Sequence, residues 1–393
     1  METEPRVPIL SLWKLVRIFF GRQSLSELVL SKNPHLYRRK ELGLLLVLAY
    51  PALKMLSLVL SRKTKASSQQ ITLFQSYQVG DFMMALPAIR LLARHVQVTV
   101  VGRPDCLFLL KDIGVQGIPF SYPFFSDSSL TAFWKSIRNA WALRGKIQGT
   151  VLDTDADPRT VLFMKIAGAG DCISYRRNFG WLFDKSLPLF NPPHHQVEKN
   201  EAVALAYIHS IQSQDEVPKP AATRTDVTWK KPNSGTLLLS CWTRRPEKNW
   251  PLDRWSKVIE MLRQKGRPIC ILNPPDADAP FRKFQAEWQG RVEFFSGDLE
   301  TLYARLHLAT GVITTDNFLG HMGAFLDKPV AWINGSSDET GVVPYGSNTH
   351  IIQVETMPCR PCRHHCTNPV YRKCLLDLTT QKVMDEINTW LGN

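Results

Sequence analysis

Thr314-Thr315-Asp316-Asn317-Phe318-Leu319-Gly320-His321-Met322-Gly323-Ala324-Phe325-Leu326-Asp327-Lys328-Pro329 is the stretch whose reading decides the fold. An apolar run at 308–313 precedes it and another at 330–333 follows it. The pattern reads as strand, tight loop, helix, strand. In an open parallel sheet such a loop lies at the carboxyl end of a strand, where ligands bind. The helix that follows offers free backbone N–H groups and the positive end of its dipole, a seat for phosphate. Asp316, Asn317 and His321 place hydrogen-bonding groups at that mouth. An ordinary βα turn with a capping acid is the plain alternative.

Outward from this stretch the same alternation continues. Upstream, 236–242, 268–273 and 292–296 read as strands, and 252–264, 279–288 and 299–309 as helices; 329–334 is the strand that follows the loop. A first series opens with a strand at 71–77, a loop at 78–81, a helix at 82–95 and a strand at 96–101. It continues with strands at 150–153 and 171–175 and helices at 158–167 and 200–213. Residues 214–233, rich in Pro, Lys and Thr, read as a linker. Alternating β and α elements predict parallel sheets. The expectation is an α/β chain of two doubly wound Rossmann-like domains, residues 69–222 and 230–393, facing a cleft.

At 393 residues and 44% hydrophobic, the chain is long enough for two or three domains with real cores, and its composition is not that of a disordered protein. A net charge of +13 points to an anionic partner: a membrane surface, a phosphorylated substrate or nucleic acid. Residues 1–68 hold twelve Lys/Arg against four Asp/Glu, so +8 of that charge sits there. Fifteen of the twenty residues 41–60 are apolar, but Pro51 and Lys54 interrupt the run, and the longest charge-free stretch, 42–53, is 12 residues. A span needs roughly 20 apolar residues. Basic residues flank the run (Arg38, Arg39, Lys40; Arg62, Lys63, Lys65). The segment 1–68 therefore reads as helices lying on an anionic leaflet. Helices packed on the protein itself, or a short span at 42–60, are the alternatives. Charges inside the first apolar run argue against a signal peptide.

Four motifs in order carry a resemblance over residues 70–393. They are Gly80-Asp81 with Leu86-Pro87-Ala88-Ile89; Lys248-Asn249-Trp250-Pro251 with Trp255; Asp316 to Leu326; and Cys359-Arg360-Pro361-Cys362 with Cys366 and Cys374. The chain resembles the ADP-heptose:lipopolysaccharide heptosyltransferases, inverting glycosyltransferases of the GT-B fold. The resemblance implies an acceptor domain followed by a nucleotide-sugar domain. It implies Asp81 as general base, although an acid at this place also suits a helix N-cap. It implies Thr243, Arg244, Lys248, Asp316, Asn317 and His321 around the donor, with Lys248 opposing the diphosphate charge and no catalytic metal required. A solvated basic loop is the alternative for Lys248. Glu300 lies where donor-domain residues approach the nucleotide in this fold. The final helix, expected over 379–391, is implied to cross back onto the first domain. Phe318 departs from the family pattern, which has a glycine there; glycine allows positive φ and close backbone approach.

Four of the eight cysteines form C-x2-C-x3-C-x7-C: Cys359, Cys362, Cys366 and Cys374. Four close thiolates suit a structural zinc or iron. Free thiols and disulfides are alternatives, and a basic knuckle on nucleic acid is a minor one. The expected function is transfer of a sugar, heptose, from a nucleotide-diphosphate sugar such as ADP-heptose to a lipid-linked glycan of the lipopolysaccharide-core type, at the cytoplasmic side of a bacterial inner membrane. No nucleic-acid partner is expected. A protein acceptor, as in autotransporter-modifying heptosyltransferases with a cysteine-based metal finger, and an inert GT-B scaffold are the other readings.

Overall fold

The computed structural model describes residues 70–123, 129–147, 149–175, 183–187, 194–211, 235–362, 366 and 368–392, with the side chains of 158 and 159 excepted. The segment 1–68 and the linker 214–233 lie outside them. Among the described residues no helix is long and apolar enough to cross a membrane.

The first half builds one parallel sheet from β1 (Gln70–Gln75), β2 (Gln97–Gly102), β3 (Gln116–Pro119), β4 (Thr150–Leu152), β5 (Cys172–Tyr175) and β6 (Lys185–Leu187), in the order β3-β2-β1-β4-β5-β6. The second half repeats this topology with β7 (Leu237–Ser240), β8 (Ile269–Leu272), β9 (Glu293–Phe295), β10 (Gly311–Thr315), β11 (Val330–Ile333) and β12 (Thr349–Ile352), in the order β9-β8-β7-β10-β11-β12. In each sheet the winding reverses between the first and fourth strands, β1/β4 and β7/β10. A doubly wound sheet opens its ligand crevice at that reversal. The central strands β7 (LLLS) and β10 (GVITT) are buried throughout. They are covered on both faces, which is why they read as unbroken apolar runs.

The helices are α1 (Val79–Ala93), α2 (Leu130–Trp141), α3 (Pro158–Ile166), α4 (Gln196–Ile211), α5 (Leu252–Gln264), α6 (Ala279–Trp288), α7 (Leu299–Leu308), α8 (Phe318–Phe325), α9 (Lys373–Leu376) and α10 (Thr380–Leu391). Two differ at their starts from the sequence expectation. α1 begins at Val79, inside the expected loop, because Asp81 takes the backbone N–H of Gln78 in the manner of a capping box. α4 begins four residues early, at Gln196. α10 lies on α5 and β12 instead of crossing back, because Val383, Ile387, Trp390 and Leu391 form one apolar face that fills the second half's own core.

The halves meet along a seam in which α1 and α8 run side by side. At its mouth a Cβ on Gly80 would stand 3.3 Å from His321 Cδ2. At its far end the Arg90 guanidinium lies 4.4 Å from the Phe325 ring centroid. Farther along, Phe108 meets Tyr303 edge-on at 5.5 Å, and Lys111 pairs with Glu300 at 2.8 Å. α8 sits low on its sheet because it carries glycines: a Cβ on Gly320 would be 2.8 Å from Pro344, and one on Gly323 2.9 Å from Val330. One apolar core runs across the seam, from Leu73, Phe82 and Leu86 to Leu319, Met322 and Trp332. A second, around Trp250, Trp255 and Trp390, belongs to the second half alone.

Candidate active site

Four loops converge at the two crevices: those after β1, β4, β7 and β10. The loop after β10 keeps Asp316 and Asn317 for different tasks. Asn317, not Asp316, caps α8: its Oδ1 accepts from Leu319 N at 2.9 Å and Thr314 Oγ1 at 3.0 Å, while its Nδ2 donates to Ser240 Oγ on β7 at 2.7 Å. Asp316 is thereby left for a charge partner. Lys248 Nζ meets Asp316 Oδ2 at 2.9 Å, with side-chain exposures of only 16% and 5%. Ser337 Oγ also donates to that carboxylate, and Thr315 Oγ1 donates to the Lys248 carbonyl. The loops after β7 and β10 are thus bound through both main chain and side chain.

The loop after β7 is shaped from within and clamped from behind. Asn249 accepts from Thr243 N at 2.7 Å and donates to Thr243 O at 2.8 Å, and Thr243 Oγ1 accepts from Arg245 N at 2.9 Å. Behind it, Trp250 Nε1 donates to Leu378 O at 2.9 Å, and Arg372 Nη1 donates to Pro246 O and Asn249 O at 3.1 and 3.2 Å. Arg244 is exposed and ion-paired with Asp276. Of the expected donor residues, Lys248, Asp316, Asn317 and His321 are brought together; Thr243 shapes the loop, and Arg244 stands at its outer side.

His321, one turn into α8, bridges the halves. Burial drives its imidazole down to about 4; Asp316 pulls it up, while His195 and Lys248 push it down. It is neutral at pH 7. Across the seam lie Gly80 and, next in sequence, Asp81 at the third position of α1. Gln78 N donates to Asp81 Oδ2 at 3.1 Å, so this carboxylate is a first-turn cap while its other oxygen is open to another task. The cap and base readings are compatible.

Phe318 is the first residue of α8 and packs partly buried against the shared core. Among the described residues the non-glycine positions with positive φ are Ala156, Asp327 and Arg372. Position 318 therefore demands no glycine conformation, and the departure from the family pattern introduces no backbone strain. Glu300 is engaged with Lys111 on the surface of the seam.

One acidic constellation was not singled out by sequence reasoning. Asp153, Asp155 and Asp157 follow β4, at the switch point of the first sheet. Asp153 is fully buried; it accepts from Asp155 N at 2.8 Å, Asp157 N at 3.2 Å and Thr160 Oγ1 at 2.5 Å. Thr160 Oγ1 also lies 2.6 Å from Asp157 O. Burial, followed by the Asp155 charge, raises Asp153 to about 8. The signal in the sequence is D-x-D-x-D directly after a strand.

Cys359, Cys362 and Cys366 are partly exposed and Cys374 is buried, all as free thiols. Cys366 Sγ accepts from Arg372 N at 3.3 Å and Cys359 Sγ from Asn368 Nδ2 at 3.8 Å. Burial, with Cys362, Cys359 and Cys366 adding to it, pushes the Cys374 thiol up to about 11. The thiols are close enough to act on one another. Even so, no three Cys, His, Asp or Glu side chains among the described residues form a set that could hold a metal.

The family model described as "Glycosyltransferase family 9 (heptosyltransferase)" matches residues 140–371. Lipopolysaccharide heptosyltransferase 2 of Salmonella typhimurium is 24% identical over 153 residues, 37% of this chain and 44% of that protein. The match thus spans less than half the length of that curated relative. The structure of E. coli heptosyltransferase WaaC with ADP superposes with a TM-score of 0.61 at 18% identity, covering 82% of this chain and 99% of that one. Dodecameric iron-containing heptosyltransferase TibC, from enterotoxigenic E. coli and in complex with ADP-D-β-D-heptose, gives 0.50 at 12% identity, covering 83% and 77%. The structural likenesses establish the two-sheet fold, and the family match spans more than half of the sequence. The chain belongs to glycosyltransferase family 9, the heptosyltransferase family.

Proposed function

We propose that this protein is an inverting glycosyltransferase that moves heptose from ADP-heptose to a lipid-linked acceptor of the lipopolysaccharide-core type. The observation that carries the reading is the buried Lys248–Asp316 pair at the second sheet's switch point, set across His321 from Gly80 and Asp81. Asp81 takes the proton of the acceptor hydroxyl as that oxygen attacks the anomeric carbon. The bond from that carbon to the diphosphate breaks, and the charge leaving with it is met by the Lys248 ammonium and the N-terminal end of α8. His321, being neutral, adds a hydrogen bond without a competing charge. The transfer needs no metal. ADP and an ADP-heptose in the structures of relatives support this choice of donor.

The proposal places the enzyme at the cytoplasmic side of a bacterial inner membrane, with the basic segment 1–68 on the leaflet. A protein acceptor is the second reading, favoured by the cysteine group and by the likeness to the iron-containing TibC. A structural zinc or iron on Cys359, Cys362, Cys366 and Cys374 is proposed from the clustering of the thiols alone and takes no part in transfer. The experiment is calorimetric titration of ADP-heptose, ADP and other nucleotide-sugars, followed by turnover with an extracted lipid-linked core or a co-expressed protein. ADP-heptose binding with product on lipid supports the proposal. Product on protein selects the second reading, and well-folded protein that binds no nucleotide refutes both.

A further inference from the structure

We propose that the outer face of α2 is a membrane-docking surface that seats the first half of the protein on an anionic lipid leaflet. Leu130, Trp134 and Trp141 are 78%, 64% and 57% exposed. They stand four and seven residues apart, so they fall within one narrow stripe of the helix. Large apolar side chains in one exposed stripe mark an interaction site, whereas scattered ones do not. The opposite side of the helix is anchored: Ala132, Ser136 and Ala140 are buried, and Phe133 meets Phe163 of α3 at 6.1 Å. The stripe is thus held rigidly outward.

Its charge identifies the partner. Lys135 and Arg138 are exposed beside the stripe, and Arg144 and Lys146 follow. Between Ser129 and Ile147 there is no Asp or Glu. Arg144 caps one face of the Trp141 indole, 4.6 Å from the ring centroid, and its Nη1 donates to Ile166 O at 3.1 Å. Indoles with cations at their rim are the composition of a helix lying in the headgroup region of an anionic bilayer. The protein's own segment 1–68 carries +8, but its apolar run 41–60 holds only Glu41 and Lys54 as charges and is the competing occupant. Indoles already protected without vesicles at every protein concentration would reveal that occupant and overturn the proposal. The helix packs against α3, which begins just after the Asp153–Asp157 loop, so the surface lies beside the first sheet's crevice. A lipid-linked acceptor held in the leaflet would reach the crevice from this side. That purpose rests on the lipid-acceptor reading above; the docking itself does not.

The test uses the full chain, because segment 1–68 can bind membranes on its own account. Hydroxyl-radical footprinting reads Trp134 and Trp141 individually, with and without vesicles of phosphatidylcholine alone or with 30% phosphatidylglycerol. The expected result is a several-fold fall in oxidation of both indoles with the anionic vesicles and little change with the neutral ones. Lys135→Ala/Arg138→Ala is expected to weaken vesicle binding about 30-fold, at about 5-fold per cation. Trp134→Ser/Trp141→Ser weakens it while ADP binding is retained. Unchanged oxidation of the indoles on vesicle-bound protein overturns the proposal, as does protection that depends on protein concentration without vesicles, which marks a second copy as the occupant. Nucleotide titration on the same samples reports the donor site separately, so failure of docking and failure of the transferase reading are distinguishable.

Discussion

Lys248→Met tests the site at its centre. The perturbation removes the ammonium and keeps the length of the side chain. At 2.9 Å and an effective dielectric of about 20, the pair's Coulomb energy is about 6 kcal/mol. Desolvation of both ions offsets part of this, and removing one member of a buried pair costs about 3–5 kcal/mol. Asp316 keeps the Ser337 hydroxyl, so the lower end applies, about 3 kcal/mol. Because one core joins the halves into a unit of roughly 300 residues, that corresponds to a fall in Tm of roughly 4–5 °C. Asp316→Asn on the same background should recover at least about 1 kcal/mol, because it removes the stranded charge. ADP affinity should fall about 100-fold or more in Lys248→Met, since the diphosphate loses a cation and faces an unscreened carboxylate. It should stay low in the double variant. Denaturant unfolding of the four proteins in the cycle, with calorimetric ADP titration, provides the readout. Lys248→Met within 0.5 kcal/mol of the parent, or additive effects of the two substitutions, would refute the reasoning.

Asp81→Asn should lower kcat by about 100-fold or more while leaving ADP affinity unchanged; a rate within threefold of the parent removes Asp81 as base. Because the folded-state pKa of His321 is depressed, to about 4, its contribution is present above the unfolded value of about 6.5 and is lost as pH falls. Between pH 7 and 5 the protein should lose about 2 kcal/mol that His321→Asn does not lose, measured by urea midpoints. Asp153 has the opposite sign. Its folded-state pKa is raised, to about 8, so its stabilisation is present at low pH and lost as pH rises. Asp153→Asn should gain about 3 kcal/mol relative to the parent between pH 5 and 7.5, and a flat difference would show that Asp153 is ionised throughout. Elemental analysis of protein purified without chelators tests the knuckle reading: one zinc or iron per chain, lost in Cys374→Ser, supports it, and a metal-free, fully folded parent ends it.

The elements legible in the sequence were those that packing makes uniform. β1, β7 and β10 are central strands covered on both faces, so burial writes itself as an apolar run. Three of the four edge strands carry no such mark: β3 is QGIP, β6 is KSL and β12 is THII, and each exists because a neighbour offers backbone hydrogen bonds. α2 was also missed, although its apolar and polar residues segregate clearly around the helix. In the site, Lys248, Asp316 and His321 were readable as candidates, but that Lys248 pairs with Asp316 while Asn317 does the capping is decided by tertiary geometry. The buried acid Asp153 was hidden for a similar reason. Three alternating acids look like solvated surface until the burial of Asp153 is taken into account.

The seam between α1 and α8 has a consequence for modularity. The strands of each half are wound alike, so the two look like exchangeable parts, and a chimera joining this donor half to another acceptor half is an obvious construction. The core that crosses the seam rules out a free exchange: Leu319 and Met322 of one half share their packing with Phe82 and Leu86 of the other, and Gly80 leaves just the room that His321 fills. Any such graft must carry both helices as a matched set. A new donor specificity is better sought by changing loop residues in front of the seam than by importing a whole half behind it.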